Sequence, residues 1–106
     1  MRAILALLLL STPALAEPEM ITTRYTCERG IEVPASYVNY GEFSVAVINV
    51  EGRQISLYLE RSASGARYGW PSDGANYVWW TKGKDATLYW KEGGEETPIL
   101  SGCVQQ

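Results

Sequence analysis

The sequence predicts a small all-β domain, an antiparallel barrel or sandwich. Short strand-type runs recur at intervals of about ten residues, separated by Gly, Pro and Asp turn signals. No window beyond the N-terminal segment carries helical periodicity. Two cysteines, Cys27 and Cys103, stand near opposite ends of the chain. A barrel makes its first and last strands neighbours and removes exposed edges, so a cross-link between those strands fits a barrel.

Taken in order, residues 1–16 have the parts of a secretory signal peptide. Arg2 supplies the positive start, Ile4 to Leu10 the apolar core, and Ala14-Leu15-Ala16 the small-x-small cleavage pattern. The apolar run is too short to span a bilayer, which leaves an interfacial anchor as the alternative. Cleavage after Ala16 gives an exported, periplasmic chain. No Cys stands directly after that point, so no stable membrane anchor is expected. After a disordered-looking Glu17-Pro18-Glu19, the Thr- and Tyr-rich run Ile21 to Cys27 reads as the first strand. Gly30 marks a turn. Ile31 to Tyr40 is a weaker strand interrupted by Pro34, which implies an edge position or a bulge.

Phe43 to Val50 alternates, with Phe43, Val45 and Val47 on one face and Ala46, Ile48 and Val50 on the other. Glu51-Gly52 is a turn, and Gln54 to Glu60 follows with Ile55, Leu57 and Leu59 on one face. These two runs form the clearest hairpin. A polar loop, Ser62 to Gly65, leads to a short strand at Ala66 to Tyr68. Pro71-Ser72-Asp73-Gly74 is a turn. Tyr77 to Thr81 is a strand, Lys82-Gly83-Lys84-Asp85 a turn, and Ala86 to Lys91 a strand. Gly93-Gly94 reverses the chain into a last strand, Ile99 to Val104, which carries Cys103.

The 90 residues that follow position 16 of 106 suffice for one domain, 17–106, and not two. Of nine basic residues only Arg2 falls in the first sixteen, so eight remain against twelve acidic ones, a net charge of −4. That balance excludes nucleic acid, whose phosphates need a basic footprint, and favours a basic partner. In an exported chain an isolated cysteine pair is most simply a disulfide, worth roughly 4 kcal/mol for a loop this long. A free reactive or metal-binding pair is the alternative. The spacing suits no zinc motif and the chain has no His, so no metal or cofactor is expected. Composition sets no oligomeric state.

The stretch Ser62 to Gly83 stands apart from ordinary scaffold. One loop carries Ser62, Ser64, Gly65 and Arg67 and runs into Tyr68; the other carries Thr81, Lys82 and Gly83 after an aromatic pair. Without His there is no Ser-His-Asp triad, and Ser64 is not in a nucleophile elbow. A Ser64–Lys82 dyad would need a desolvated lysine. Four tryptophans and seven tyrosines offer sugar-stacking faces, so a peptidoglycan-binding module is a second reading. Adjacent Trp79 and Trp80 must point to opposite faces of a strand, leaving at most one in the core. A third reading is a protein-binding wedge, in which a hydroxyl and an ammonium at the barrel tip enter a concave acidic site.

Ser-Ala-Ser-Gly-Ala-Arg-Tyr at 62–68, then Tyr77-Val78-Trp79-Trp80-Thr81-Lys82-Gly83 and Ala86-Thr87-Leu88, resemble the paired signature of the bacterial inhibitors of C-type lysozyme, the membrane-bound and periplasmic group. Tyr25-Thr26-Cys27 and Cys103 are similar to that family's disulfide pair. The resemblance implies an eight-stranded antiparallel barrel, no enzymatic activity, and C-type lysozyme as partner. By position, Ser64 and Lys82 correspond to the residues that bond the lysozyme's catalytic Asp and Glu, with Ser62, Gly65, Arg67, Tyr68, Thr81 and Gly83 around them. The segment Gly69 to Asn76, containing Trp70 and Pro71, is longer than the family's pattern.

Overall fold

In the computed structural model, which describes residues 17–72 and 74–106, antiparallel strands close into one barrel in chain order. They are β1 Glu19–Thr26, β2 Glu32–Tyr40, β3 Phe43–Val50, β4 Arg53–Glu60, β5 Ala66–Gly69, β6 Asn76–Lys82, β7 Asp85–Glu92 and β8 Glu95–Gln105. A 3-10 turn, Glu28–Gly30, joins β1 to β2. Of the two architectures the sequence allowed, the barrel is the observed one. It closes where Tyr25 and Thr26 of β1 pair with Gln105 and Val104 of β8. Beside this seam Cys27 and Cys103 form the disulfide. The N-terminal segment read as a signal peptide lies outside the described residues, as does Asp73 of the expected turn.

Period-two alternation fills the lumen. Val33, Ala35, Ala46, Ile48, Leu57, Trp79 and Leu88 are buried in one cluster, contributed by β2, β3, β4, β6 and β7. Trp79 is fully buried, and its indole N–H is not left bare: Nε1 donates to the Tyr37 hydroxyl at 2.9 Å. The hydroxyls of Tyr37 and Tyr25 share a further bond of 2.8 Å. Three polar groups in the lumen therefore satisfy one another. Burial pushes the Tyr25 phenol above its ordinary pKa against the opposing effect of the Tyr37 bond. Burial, helped by the bond to Tyr25, pushes Tyr37 up as well.

The structure corrects the sequence expectation at four places. Glu19 is the first residue of β1 and pairs with Asn39, so it is not part of a disordered lead. β2 runs unbroken through Pro34, which pairs with Arg24 without a bulge and is not on an edge, since the barrel has none. Pairing with β3 starts only at Ala35, leaving a side on which a missing N–H interrupts no ladder. Leu59 follows Ile55 and Leu57 in alternation yet is exposed, because it lies at the loop end of β4 beyond the filled lumen. The last strand begins at Glu95, four residues before Ile99, as the second arm of the Gly93-Gly94 hairpin.

Candidate functional site

Successive connections of an up-and-down barrel alternate between its ends, so the β4–β5 loop (61–65) and the β6–β7 turn (83–84) share one end. β5 pairs with both β4 and β6, which brings the loops side by side. The contact between them is made at Gly65. Its φ of +66° is left-handed, and a Cβ built there would run into the Thr81 carbonyl oxygen and lie 2.7 Å from Lys82 Cγ. Only a glycine lets the first loop lie directly on the backbone of the second.

Hydrogen bonds then fix the loop. Trp80 Nε1 donates to the Ser64 carbonyl at 2.9 Å, and Ser62 Oγ donates to the same carbonyl at 2.7 Å. Thr81 Oγ1 donates to the Ala66 carbonyl at 3.3 Å. Ser62 and Thr81 are thus used in holding the loop, whereas Ser64 is held by its backbone. Among the described residues, Ser64 Oγ and Lys82 Nζ have no hydrogen-bond or ion-pair partner, and both residues are exposed. Lys82 is not in the dry pocket that a Ser-Lys dyad needs. Its ammonium rests 4.7 Å from the Trp80 ring centroid, a cation–π contact of about 0.5–1 kcal/mol at an exposed site.

Arg67 and Tyr68 are placed differently from the tip residues. Arg67 Nε donates to Glu60 at 3.3 Å, Nη2 pairs with Glu96, and Cζ stands 5.2 Å from the Trp80 ring centroid. The guanidinium thus ties β5 to β4 and to β8 beside Trp80 of β6, and its side chain is 14% exposed. The bond to Glu96 is the main reason its pKa rises, so it is charged at every accessible pH. Tyr68 points into the lumen and packs against Tyr37, ring centroids 5.4 Å apart. Both residues brace the tip from behind.

Sequence reasoning missed Glu60 and Glu96 as the carboxylates that hold Arg67, and it missed Trp80 as the plate under both cations. Trp80 was findable, since residues i and i+2 of a strand share a face and Lys82 follows it by two. Trp79 and Trp80 do point to opposite sides, one buried and one half-buried. Of the four tryptophans only Trp70 is exposed; its ring meets Tyr58, which meets Phe43, at tilts of 46° and 67°. These rings form no flat platform for a sugar chain. Among the described residues no His, Cys, Asp or Glu side chains cluster to hold a metal, and no helix is long and apolar enough to cross a membrane.

Fold and site define a class: a disulfide-closed β-barrel whose paired loops present an unengaged hydroxyl and an unengaged ammonium at one end. The chain belongs to the family described as membrane-bound lysozyme-inhibitor of c-type lysozyme, whose model matches residues 25–97. A curated relative from Pseudomonas aeruginosa, named membrane-bound lysozyme inhibitor of C-type lysozyme, is 40% identical over 91 residues, covering 83% of this chain and 68% of the relative. The chain spans about two thirds of the length of the two curated lysozyme inhibitors it matches, from Pseudomonas aeruginosa and Cupriavidus necator. Among solved structures, Pseudomonas aeruginosa MliC in complex with hen egg white lysozyme aligns with a TM-score of 0.68 and 32% identity over 92% of both chains. The periplasmic lysozyme inhibitor PliC-St of Salmonella typhimurium aligns with the same score and identity over 83% of this chain and 99% of its own.

Proposed function

We propose that this chain inhibits C-type lysozyme by seating its paired loops in the catalytic cleft, with Ser64 and Lys82 bonding the two catalytic carboxylates. The observation that carries this reading is the seating of Gly65 on Thr81 and Lys82, which joins the two loops into one tip with both donors unengaged. The family name and the relative solved with hen egg white lysozyme support the partner.

Lysozyme cleaves with one carboxyl as general acid and one as nucleophile. An ammonium beside the acid favours its ionised form, which has no proton to give to the leaving sugar. The hydroxyl of Ser64 donates to the other carboxylate and occupies the space a substrate needs. Lys82 exchanges a weak contact with Trp80 for a charge-assisted bond of about 1.5–3 kcal/mol. Gly65, Gly83, Ser62 and Thr81 shape the tip, while Arg67 and Tyr68 keep Trp80 and the lumen in place behind it. The acidic balance of the chain steers it toward a basic enzyme, an attraction that weakens with salt. The protein acts by occlusion and not by turnover, in the periplasm after export.

The test is lysis of bacterial walls by a C-type lysozyme in the presence of residues 17–106. Suppressed lysis at micromolar protein is expected. Full lysis at that concentration, with the protein retained on purified peptidoglycan, would replace this reading with the glycan-binding one.

A further inference from the structure

The barrel end opposite Ser64 and Lys82 is open. The 3-10 turn, the Glu51-Gly52 turn and the Gly93-Gly94 turn lie there, because connections alternate between the two ends. Between them a cavity of about 360 Å³ enters the lumen. Its floor is apolar, made by Val50, Ile55, Leu88 and Leu100, of which the last three are buried. Its rim carries Arg29, Arg53 and Glu51. The size falls within the roughly 300–1,000 Å³ of small-ligand sites, which favour barrel mouths and combine an apolar lining with a few convergent polar groups.

The charges at this rim run against the rest of the chain. Two guanidiniums and one carboxylate line the cavity itself, with Glu28, Glu92 and Glu95 on the surrounding turns, whereas residues 17–106 carry eight basic and twelve acidic side chains. Among the described residues neither Arg29 nor Arg53 is in an ion pair. Arg53 is held in place, since its Nη1 donates to the Tyr77 hydroxyl at 3.0 Å, and most of its donor fork remains free. Arg29 sits at φ +60°, a left-handed conformation that a non-glycine residue adopts at a cost, inside a turn closed by Cys27 N–H to the Ile31 carbonyl at 2.7 Å.

We propose that this mouth binds a single-chain amphiphile with an anionic head, the alkyl chain on the Val50–Ile55–Leu88–Leu100 floor and the head between Arg29 and Arg53. The head is a carboxylate or a phosphate, since the forks of both arginines match either one. The site lies at the far end from the lysozyme-facing tip, so occupancy and inhibition are separable.

The test titrates residues 17–106 with dodecanoate, dodecyl phosphate and dodecyltrimethylammonium, each below its micelle concentration, and follows backbone amide shifts. Both anionic probes, or one of them, should shift the amides of Val50, Arg53 and Leu100. A preference for dodecanoate would point to fatty acids, and one for dodecyl phosphate to phospholipid-type heads. The cationic probe should bind about tenfold more weakly or worse, and Arg29→Gln with Arg53→Gln should weaken the anionic probes by a similar factor. Val50→Trp, which fills the well, should abolish binding, and none of these substitutions should alter inhibition of lysozyme. Shifts confined to other parts of the barrel, or equal affinity for anionic and cationic probes, would overturn the proposal.

Discussion

Replacing Gly65 by Ala probes the contact on which the tip depends, and Gly83→Ala provides its control. Both glycines are left-handed, at φ +66° and +58°, so each substitution incurs a conformational cost of about 1–2 kcal/mol. They differ in space. A Cβ at Gly83 meets nothing within 4 Å, whereas one at Gly65 drives into the Thr81 carbonyl oxygen, a backbone atom that moves only if the strand moves. Overpacking of that kind adds about 1–3 kcal/mol. Gly65→Ala should therefore cost about 2–5 kcal/mol and Gly83→Ala about 1–2 kcal/mol. Urea unfolding of the two variants measures the difference directly. Gly65 takes no part in the β1–β8 pairing or the disulfide that close the barrel, so the fold should survive while the two loops part and lysozyme inhibition drops. Equal destabilisation by the two substitutions, or full inhibition by Gly65→Ala, would show that the loops are not held together there.

Arg67→Met should cost about 2 kcal/mol, because it strands Glu60 and Glu96. Glu60 Oε1 is buried without a partner, so adding Glu60→Gln to Arg67→Met should recover part of the loss; thermal melts of the single and double variants check the sign. Alkaline pH should destabilise the fold. Tyr25 and Tyr37 have phenols raised above their ordinary pKa, so their contribution is complete below about pH 10, where the unfolded phenols titrate, and is lost as pH rises through the folded values. Tyr25→Phe with Tyr37→Phe should flatten stability against pH above 10 and lower it below, since Trp79 Nε1 then has no acceptor.

Much of the barrel was legible because its code is local. The alternation of Phe43 to Val50, the turn pairs Glu51-Gly52 and Gly93-Gly94, and the opposed Trp79 and Trp80 depend only on neighbours in sequence. Glu19 and Glu95–Pro98 were illegible as strand. Glu19, Glu95, Glu96 and Thr97 have charged or polar side chains and Pro98 lacks an N–H, and they are extended because the neighbouring strand pairs with them. Leu59 obeys the alternation yet is exposed, since the pattern records the face of a strand but not where the lumen ends. Ser64 and Lys82 could be singled out from their motifs, but not the tether of Arg67. That tether joins residues 7 and 29 positions apart and exists only once β5 to β8 are laid side by side. The arginine-rimmed mouth at the far end has no motif at all, because it draws on six separate elements.

The central claim is that Lys82 and Ser64 occupy the lysozyme cleft, and competition with a sugar in that cleft tests it most directly. Titration calorimetry of residues 17–106 against a C-type lysozyme, repeated with rising chitooligosaccharide, should show apparent affinity falling in proportion to cleft occupancy. Lys82→Ala should already be weaker by about 2 kcal/mol or more, as expected when one partner of a buried charge pair is removed. Affinity indifferent to both the sugar and the substitution would place the contact outside the cleft and contradict the account.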